Sequence, residues 1–292
     1  MDDIQLLAER FEAHRGHLRA VAYRILGSVS EADDAVQEAW IRLSGSDTDE
    51  IGNLGGWLTT VVGRVSLNML RSRRTRREES LDAVYVPEPI VDRVDGTDPE
   101  HEALLADSVG LALLVVLETL SPAERLAFVL HDMFAVPFEE IARIVDRSPE
   151  AARQLASRAR RRVRAQETVP DSDRGTQREV VEAFLVAARA GDFDRLVCVL
   201  HPDAVLRADL GPVEGSREVR GAEAIARQAL TFSRLDLTTE LALINGAVGV
   251  VTRRDGEPFS VAGFTVRAGR IVAMDILADP ERLSLLDLTP VD

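Results

Sequence analysis

The chain has 292 residues, of which 35 are basic and 49 acidic, so its formal net charge is −14. This length allows two domains or three small ones, and an apolar content of 46% is enough to form buried cores. The single cysteine, Cys198, excludes an internal disulfide and a cysteine-rich metal site. The acidic start lacks a signal-peptide core, and the longest apolar run, 111–117, is too short to span a bilayer. Composition therefore predicts a cytoplasmic protein without a membrane partner.

Every basic residue is an arginine, because the sequence contains no lysine. The arginines are concentrated in two clusters, at 71–77 and at 153–164. Local positive charge of this kind suits nucleic-acid phosphates, while the acidic remainder should weaken indiscriminate DNA binding. The aromatic content of 4% argues against base stacking as the main binding device.

The first two predicted elements are amphipathic helices. Between 3 and 26, Leu7, Phe11 and Leu18 belong to a seam with steps of three and four, typical of a helix with one buried face. Ser30 is predicted to cap the second helix, SEADDAVQEAWIRL. Its other face is uniformly polar, and is either a solvated surface or a docking surface for a basic partner. That face contains Asp34, Gln37 and Glu38.

A third helix is predicted in GWLTTVVGRVSLNMLRSRRTRREE, which starts at Gly56. Its apolar positions face a core, and polar side chains recur at spacings of four and three on the opposite side, ahead of the first arginine cluster. Such a stripe can follow a phosphate backbone. The predicted DNA contacts here are Arg64, Asn68, Arg71, Arg73 and Arg74.

Residues 78–102 predict a linker, because they contain three prolines and little periodicity. Within them, the segment Tyr85-Val86-Pro87-Glu88-Pro89 is a stiff, partly apolar strip. It is either a spacer or a strip that docks on another part of the chain, and the C-terminal domain is the expected partner. After the linker, 104–120 predicts a central helix, and the capping-box pattern of 121–124 predicts another that runs to 134.

Residues 134–164 predict a helix-turn-helix. From about Pro137, apolar residues recur every three or four positions as far as Val145. Ser148-Pro149 then restarts a helix, because a serine side chain accepts from free amides and proline suits the first helical position. Small alanines on one side of this second helix allow the two helices to cross closely.

The other side of that second helix is polar and basic. Side chains of this kind read base edges and hold phosphates when a helix lies in the major groove. A solvated, arginine-rich amphipathic helix is the alternative that composition leaves open. The predicted DNA contacts are Ser148, Glu150, Arg153, Gln154, Ser157, Arg158 and Arg161.

After a loop at 169–175, the pattern changes to that of an α+β domain. Two helices, at 180–190 and 193–200, precede alternating or apolar runs that predict a strand meander. The candidate polar residues of this domain are His201, Arg207 and Asp209, and an acid/base role for Asp209 would require a raised pKa. A lone carboxylate is a weak catalytic site, so no catalytic residue, metal or cofactor is predicted.

The D-x-x-Q-E pattern at 34–38, the W-L-T-T helix that ends in arginines, and the run R-Q-L-A-S-R-A-R together resemble bacterial sigma factors of the extracytoplasmic-function group. The resemblance implies that 1–77 melts and binds the minus-ten promoter element, and that 103–165 reads the minus-thirty-five element. It also implies that the acidic pattern contacts the clamp helices of core RNA polymerase. Family members often carry aspartate where this chain has Asn68, so a role tied to that carboxylate does not carry over.

The segment 85–89 is similar to the W-L-P-E-P element of the subgroup with a fused C-terminal SnoaL-like domain, with Tyr85 in place of the tryptophan. Residues 178–284 resemble SnoaL-like members of the nuclear transport factor 2 superfold, which implies that His201, Arg207 and Asp209 lie near the mouth of a cone. The subgroup's D-G-G-G-K and N-P-D-K-L elements appear here only as 209–213 and 278–283. The resemblance implies interdomain regulation through Tyr85, Pro87, Glu88, Pro89, Asp279 and Pro280.

We therefore predict an alternative sigma factor with core RNA polymerase and promoter DNA as partners and without catalytic activity. The predicted fold class is multidomain: an all-α promoter-melting domain at 1–77, a linker at 78–102, an all-α helix-turn-helix domain at 103–165, and an α+β SnoaL-like cone domain at 176–292. The first alternative is a helix-turn-helix regulator whose C-terminal domain binds an unidentified small ligand. An enzyme is the second alternative.

Overall fold

The computed structural model describes residues 2–46, 51–77, 84–94, 96, 110–165, 173–232 and 235–288. The chain forms two compact units. The first contains residues 1–81, 102–106 and 117–165, and the second contains 82–101, 107–116 and 166–292. This grouping differs from the predicted boundaries, because both helical segments share one unit and most of the predicted linker belongs to the second unit.

The first unit begins with three helices, α1 (Asp2–Leu26), α2 (Val29–Ser44) and α3 (Leu54–Arg77). Their apolar seams pack on one another, and Phe11 of α1 meets Trp40 of α2 with ring centroids 5.1 Å apart. The cap of α2 is Ser28, whose hydroxyl accepts from the Glu31 amide at 3.2 Å. The prediction that Ser30 is the cap is wrong, because the helix starts two residues earlier.

Helix α4 (Leu111–Glu118) is followed by α5 (Pro122–Phe128), a π-helical turn (Val129–Met133), α6 (Phe138–Val145) and α7 (Pro149–Arg164). The predicted capping box at the start of α5 is confirmed, since the side chain of Ser121 and that of Glu124 each accept a hydrogen bond from the other residue's backbone amide. The predicted helix over 104–120 is confirmed only for its C-terminal part, because 101–109 lie outside the described residues. The π-helical turn was not predicted.

Helix α3 packs directly on α5 and α6 through Gly63. A methyl group added at Gly63 would lie 3.4 Å from the terminal carbons of both Leu130 and Ile144. A methyl group at that distance would make ordinary van der Waals contact, so α3 lies close to both residues at this point. Burial of Leu130 and Ile144 against α3 ties the two helical segments into one core.

Among the residues that the structure describes, the second unit contains a seven-stranded sheet and five helices in addition to most of α4. The strands are β1 (Val91–Asp92), β2 (Leu200–Asp209), β3 (Ser216–Arg220), β4 (Thr238–Ile244), β5 (Ala247–Arg254), β6 (Glu257–Arg267) and β7 (Arg270–Leu277). Their order is β1-β4-β5-β6-β7-β2-β3, and all pairs are antiparallel except β2 and β7. The helices are α8 (Arg174–Ala190), α9 (Phe193–Val199), α10 (Gly211–Glu214), α11 (Ala222–Phe232) and α12 (Pro280–Leu283).

Different elements pack on the two faces of this sheet. One face packs on α8, α9 and α11, where Phe184 of α8 meets Phe264 of β6 edge-on with centroids 5.8 Å apart. The opposite face presents a second apolar cluster that includes Val86 and Val91 of the predicted linker and Leu111 of α4. The predicted α+β architecture is confirmed, while β1, β3 and α11 were not predicted.

Candidate functional site

The second helix of the helix-turn-helix presents the predicted face to solvent. Asp146 ends α6 in a left-handed conformation, with φ of 56°, and the chain reverses within three residues. The Ser148 hydroxyl then accepts from the Ala151 amide at 3.2 Å and starts α7, as predicted. Its buried side consists of alanines at 152, 156 and 159. The seven predicted DNA contacts are all exposed, namely Ser148, Glu150, Arg153, Gln154, Ser157, Arg158 and Arg161.

Several arginines of α7 are already engaged by carboxylates of the same unit. Glu124 lies 4.0 Å from Arg158 and 3.6 Å from Arg162, and Asp132 pairs with Arg160. These are partly exposed pairs and contribute little stability. They hold long side chains in place along the helix while leaving part of each guanidinium open to a phosphate.

The polar face of α2 is arranged as predicted. Asp34 and Gln37 are exposed, and Glu38 is half-buried with its carboxylate accepting from Arg42 at 2.9 Å. The neighbouring Asp33 is instead tied to Arg19 of α1 at 2.5 Å. Ile41 extends the same face with an apolar side chain that is 55% exposed. Sequence reasoning did not single out Ile41, although a large apolar residue on an otherwise polar face was a signal for it.

The predicted stripe on α3 is only partly displayed to solvent. Arg64, Asn68 and Arg71 are exposed, and Arg64 donates to the Arg143 carbonyl of α6 at 3.1 Å. The Arg74 side chain lies outside the described residues. Arg73 differs from the expectation of a displayed DNA contact, because its side chain is only 11% exposed.

Arg73 is held by residues of three helices. It donates to the Leu26 carbonyl of α1 at 3.0 Å, pairs with Glu31 of α2, and lies 3.7 Å from Glu118 of α4. Glu118 also accepts from the buried Arg125 at 2.5 Å. The structure thus gives Arg73 internal partners that the periodic spacing of the arginines could not reveal.

The predicted linker is bound to the C-terminal sheet by its backbone. Val91 and Asp92 form β1, which pairs with Ile244 and Leu243 of β4 at the edge of the sheet. The Ile90 amide donates to the Asn245 side chain at 3.1 Å, and the Asn245 amide donates back to the Ile90 carbonyl at 2.9 Å. The linker therefore adds a strand instead of acting as a free spacer.

A second attachment, which we call the linker clasp, consists of Tyr85, Val86, Asp209 and Arg282. Arg282 donates to Asp209 and to the Val86 carbonyl, at 2.6 Å in each case. Its guanidinium carbon lies 4.2 Å from the centre of the Tyr85 ring. The Val86 amide completes the clasp by donating to Asp209 at 3.3 Å. Val86 is fully buried, and Pro87 and Pro89 are buried beside it.

The predicted regulatory residues Asp279 and Pro280 support the clasp through α12. The Asp279 carboxylate accepts from the Glu281 amide at 3.0 Å, and Pro280 occupies the first helical position. They start the helical turn that carries Arg282. Asp279 also sits against Gly211, where an added methyl group would lie 2.9 Å from its carboxyl carbon. Asp209 and Arg282 were not predicted as linker contacts, although both lie in the two elements that resemble subgroup motifs.

The polar residues expected near a cone mouth have other roles here. Asp209 belongs to the clasp, and Arg207 forms an ion pair with the buried Asp275 of β7 at 2.7 Å. Burial raises the pKa of the Asp275 carboxyl, and the Arg207 guanidinium offsets part of that rise. Asp275 of β7 is paired in register with Arg207 of β2 on one side and with Gly263 of β6 on the other. The ion pair of Arg207 and Asp275 therefore joins two neighbouring strands.

Comparison with known proteins agrees with this layout. Residues 10–76 match Sigma-70 region 2, and residues 110–163 match Sigma-70, region 4. The ECF RNA polymerase sigma factor SigJ of Mycobacterium tuberculosis is 41% identical over 289 residues, which cover 94% of this chain and 92% of SigJ. The chain belongs to the ECF RNA polymerase sigma factors. The probable ECF sigma factor SigI of the same species is 32% identical over 279 residues, which cover 94% of each chain.

The solved structures extend the match to the whole sigma factor. The crystal structure of Mycobacterium tuberculosis SigJ superposes with a TM-score of 0.75 at 37% identity, and covers 96% of this chain and 99% of that one. This protein is therefore an alternative sigma factor that directs transcription by core RNA polymerase from promoter DNA, and it is not an enzyme. Within the described ranges, no helix is both long enough and apolar enough to cross a membrane.

Proposed function

We propose that this sigma factor binds core RNA polymerase through the exposed face of α2, with Asp34, Gln37 and Glu38 as its polar contacts. Asp34 and Gln37 are exposed and Glu38 is partly exposed, all on one face of the helix, which supports the proposal. Ile41 adds an exposed apolar side chain to the same face. Apolar surface bordered by charged groups is the usual composition of a protein interface.

Two basic surfaces contact promoter DNA in this proposal. Residues 1–77 bind and melt the minus-ten element through Arg64, Asn68 and Arg71, and 103–165 read the minus-thirty-five element with α7 in the major groove. The exposed polar face of α7 and its buried alanine side support the second assignment. Both steps take place in the cytoplasm, where core polymerase is found.

The C-terminal domain regulates this activity by holding the linker. The observation that carries this conclusion is Arg282, which binds Asp209 of the sheet and the Val86 carbonyl of the linker with one guanidinium. A domain that binds residues 84–92 also restrains the connection between the two promoter-reading segments, because those residues lie in that connection. The other face of the sheet packs the apolar cluster around Phe184 and Phe264 against α8, α9 and α11.

Binding to purified core polymerase tests the polymerase contact. We expect the double charge reversal Asp34→Lys with Glu38→Lys to abolish co-purification with core polymerase while the thermal unfolding midpoint stays near that of the wild type. The control Glu9→Lys with Glu12→Lys makes the same change of net charge on the exposed side of α1. Wild-type recovery of core polymerase by the Asp34 and Glu38 variant would refute the proposed contact.

A further inference from the structure

Three aromatic or cationic side chains form a stack beneath the reading face of α7. Phe138, the first residue of α6, is 9% exposed, and the His131 imidazole lies against its ring with centroids 3.8 Å apart and planes inclined by 26°. His131 is held in turn, because its Nδ1 donates to the Val136 carbonyl at 3.1 Å. It projects from the π-helical turn, a local departure from α-helical geometry that often occurs at functional sites.

The third member of the stack is Arg153, which projects from the second turn of α7. Its guanidinium carbon lies over the Phe138 ring, 5.1 Å from the centroid. Since the imidazole covers one face of the ring, the guanidinium uses the other. This contact joins a predicted base-reading side chain of α7 to the scaffold helix α6.

Arg153 contacts an aromatic ring, whereas the other arginines of α7 whose contacts are described above lie near carboxylates. Arg160 donates to the Asp132 carboxylate, and Arg158 and Arg162 lie near the Glu124 carboxylate, which attracts their N–H groups. A contact with an aromatic face orients the guanidinium plane through its charge and uses no N–H donor. All five donors of the Arg153 guanidinium therefore stay compatible with a hydrogen-bonding ligand in front of the ring.

We propose that Phe138, backed by His131, is a positioning residue that orients Arg153 for a bidentate contact with the O6 and N7 atoms of one guanine. The inference rests on the proposed function, in which Arg153 reads the upstream element. A free arginine side chain samples many rotamers, and fixing it on contact with DNA opposes binding. A side chain that already lies over an aromatic ring loses less freedom when it meets the base edge.

The expected effect is local to one base pair. Loss of a cation–π contact that becomes desolvated at the DNA surface should lower the preference for guanine about five- to thirtyfold. A phosphate contact would instead change binding to all sequences alike. Base preference at a single position therefore distinguishes positioning of Arg153 from a general effect on the fold.

The test is transcription by the full chain with core polymerase from a promoter library randomised in the upstream element, followed by sequencing of the transcripts. The wild type should enrich guanine at one position, Arg153→Ala should abolish that enrichment, and Phe138→Leu should remove most of it. Phe138→Tyr, which keeps the ring, should retain it. His131→Leu, which leaves Phe138 in place, should cause a smaller loss at the same position.

The double variant Phe138→Leu with Arg153→Ala should behave like Arg153→Ala alone, because Phe138 acts through Arg153. Retention of the guanine preference by both Phe138→Leu and His131→Leu would overturn the proposal, as would an equal loss at every randomised position. If Arg153→Ala itself kept the guanine preference, the assignment of Arg153 as a base reader would fail first. The two failures are thus distinguishable.

Discussion

Arg282 and Val86 are 196 positions apart in the chain, and a hydrogen bond of 2.6 Å from the Arg282 guanidinium to the Val86 carbonyl joins them. The same guanidinium binds Asp209 at the end of β2, so one side chain connects the linker to the sheet. Charge-assisted hydrogen bonds of this kind are roughly twice as strong as neutral ones. The linker clasp is therefore a specific point at which the C-terminal domain holds the linker.

Replacement of Arg282 by methionine should release the linker locally. The variant keeps the apolar stem of the side chain but removes both hydrogen bonds, which together contribute about 1.5 to 3 kcal/mol. We expect the Val86 amide to exchange its hydrogen about ten- to hundredfold faster. An amide in the middle of the sheet, such as Val250 of β5, should be unaffected. Unchanged exchange at Val86 would show that the clasp does not hold the linker.

Arg73 and Arg71 should separate stability from DNA binding. Arg73→Ala leaves the partly buried Glu31 and Glu118 without this partner, so it should destabilise the first unit by about 1 to 3 kcal/mol. Arg71→Ala changes an exposed side chain, and should lower affinity for promoter DNA with little effect on unfolding. The free energy of unfolding from chemical denaturation and the affinity for promoter DNA, measured for both variants, test these two expectations. Equal stability of both would contradict the internal role of Arg73.

Arg161 should behave as a phosphate contact. It is exposed in the last turn of α7, away from the first turns that enter the groove. Arg161→Ala should weaken binding to all DNA sequences alike and reduce the slope of log affinity against log salt by about one. Holoenzyme binding to two unrelated promoters over a range of salt concentrations measures this. A loss confined to one promoter would instead make Arg161 a base reader.

The buried carboxyl of Asp275 should make stability depend on pH in a defined direction. Its pKa is raised in the folded protein, so the folded state binds the proton more tightly than the unfolded chain, whose carboxyl titrates at about 4. Stability from this group therefore falls as the pH rises from about 4 through the raised pKa. The constant charge of Arg207 adds no slope in this range.

The variant Asp275→Asn isolates that effect. As the pH rises, the stability of the wild type should fall relative to that of Asp275→Asn. The prediction concerns this trend and not the difference in stability at any single pH. Asp236→Asn, at an exposed position of the same domain, is the matched control and should show no such trend. Thermal unfolding midpoints at several pH values provide the measurement, and parallel curves for wild type and Asp275→Asn would contradict the raised pKa.

Local signals in the sequence were sufficient for the helix-turn-helix and for the start of α5. The Ser148-Pro149 start of α7 and the capping box of Ser121 and Glu124 depend on hydrogen bonds within four residues, so the sequence alone reveals them. The exposed face of α7 followed from helical periodicity in the same way. Periodicity failed for Arg73, because a residue on a polar stripe can still be enclosed when other helices of the fold approach it.

The individual residue pairs that join distant segments could not be predicted from the sequence. Strand β1 has two residues, and forms only because the edge of β4 supplies its hydrogen bonds. The pairing of Arg207 with Asp275 depends on the parallel register of β2 and β7, which no turn between neighbouring strands specifies. The resemblance to subgroup motifs did indicate the regions of Asp209 and Arg282, but not that the two residues bind each other.

Run-off transcription with purified core polymerase tests the central claim most directly, namely that the C-terminal domain controls this sigma factor by holding the linker. Point variants are preferable to truncation, because removal of 176–292 would expose the apolar side chains of Val86, Val91 and Leu111. We predict that Arg282→Met and Asp209→Asn each change promoter output severalfold in the same direction with unchanged core binding, while the exposed Arg270→Met does not. Wild-type output from both clasp variants, with the linker shown to be released, would contradict the claim.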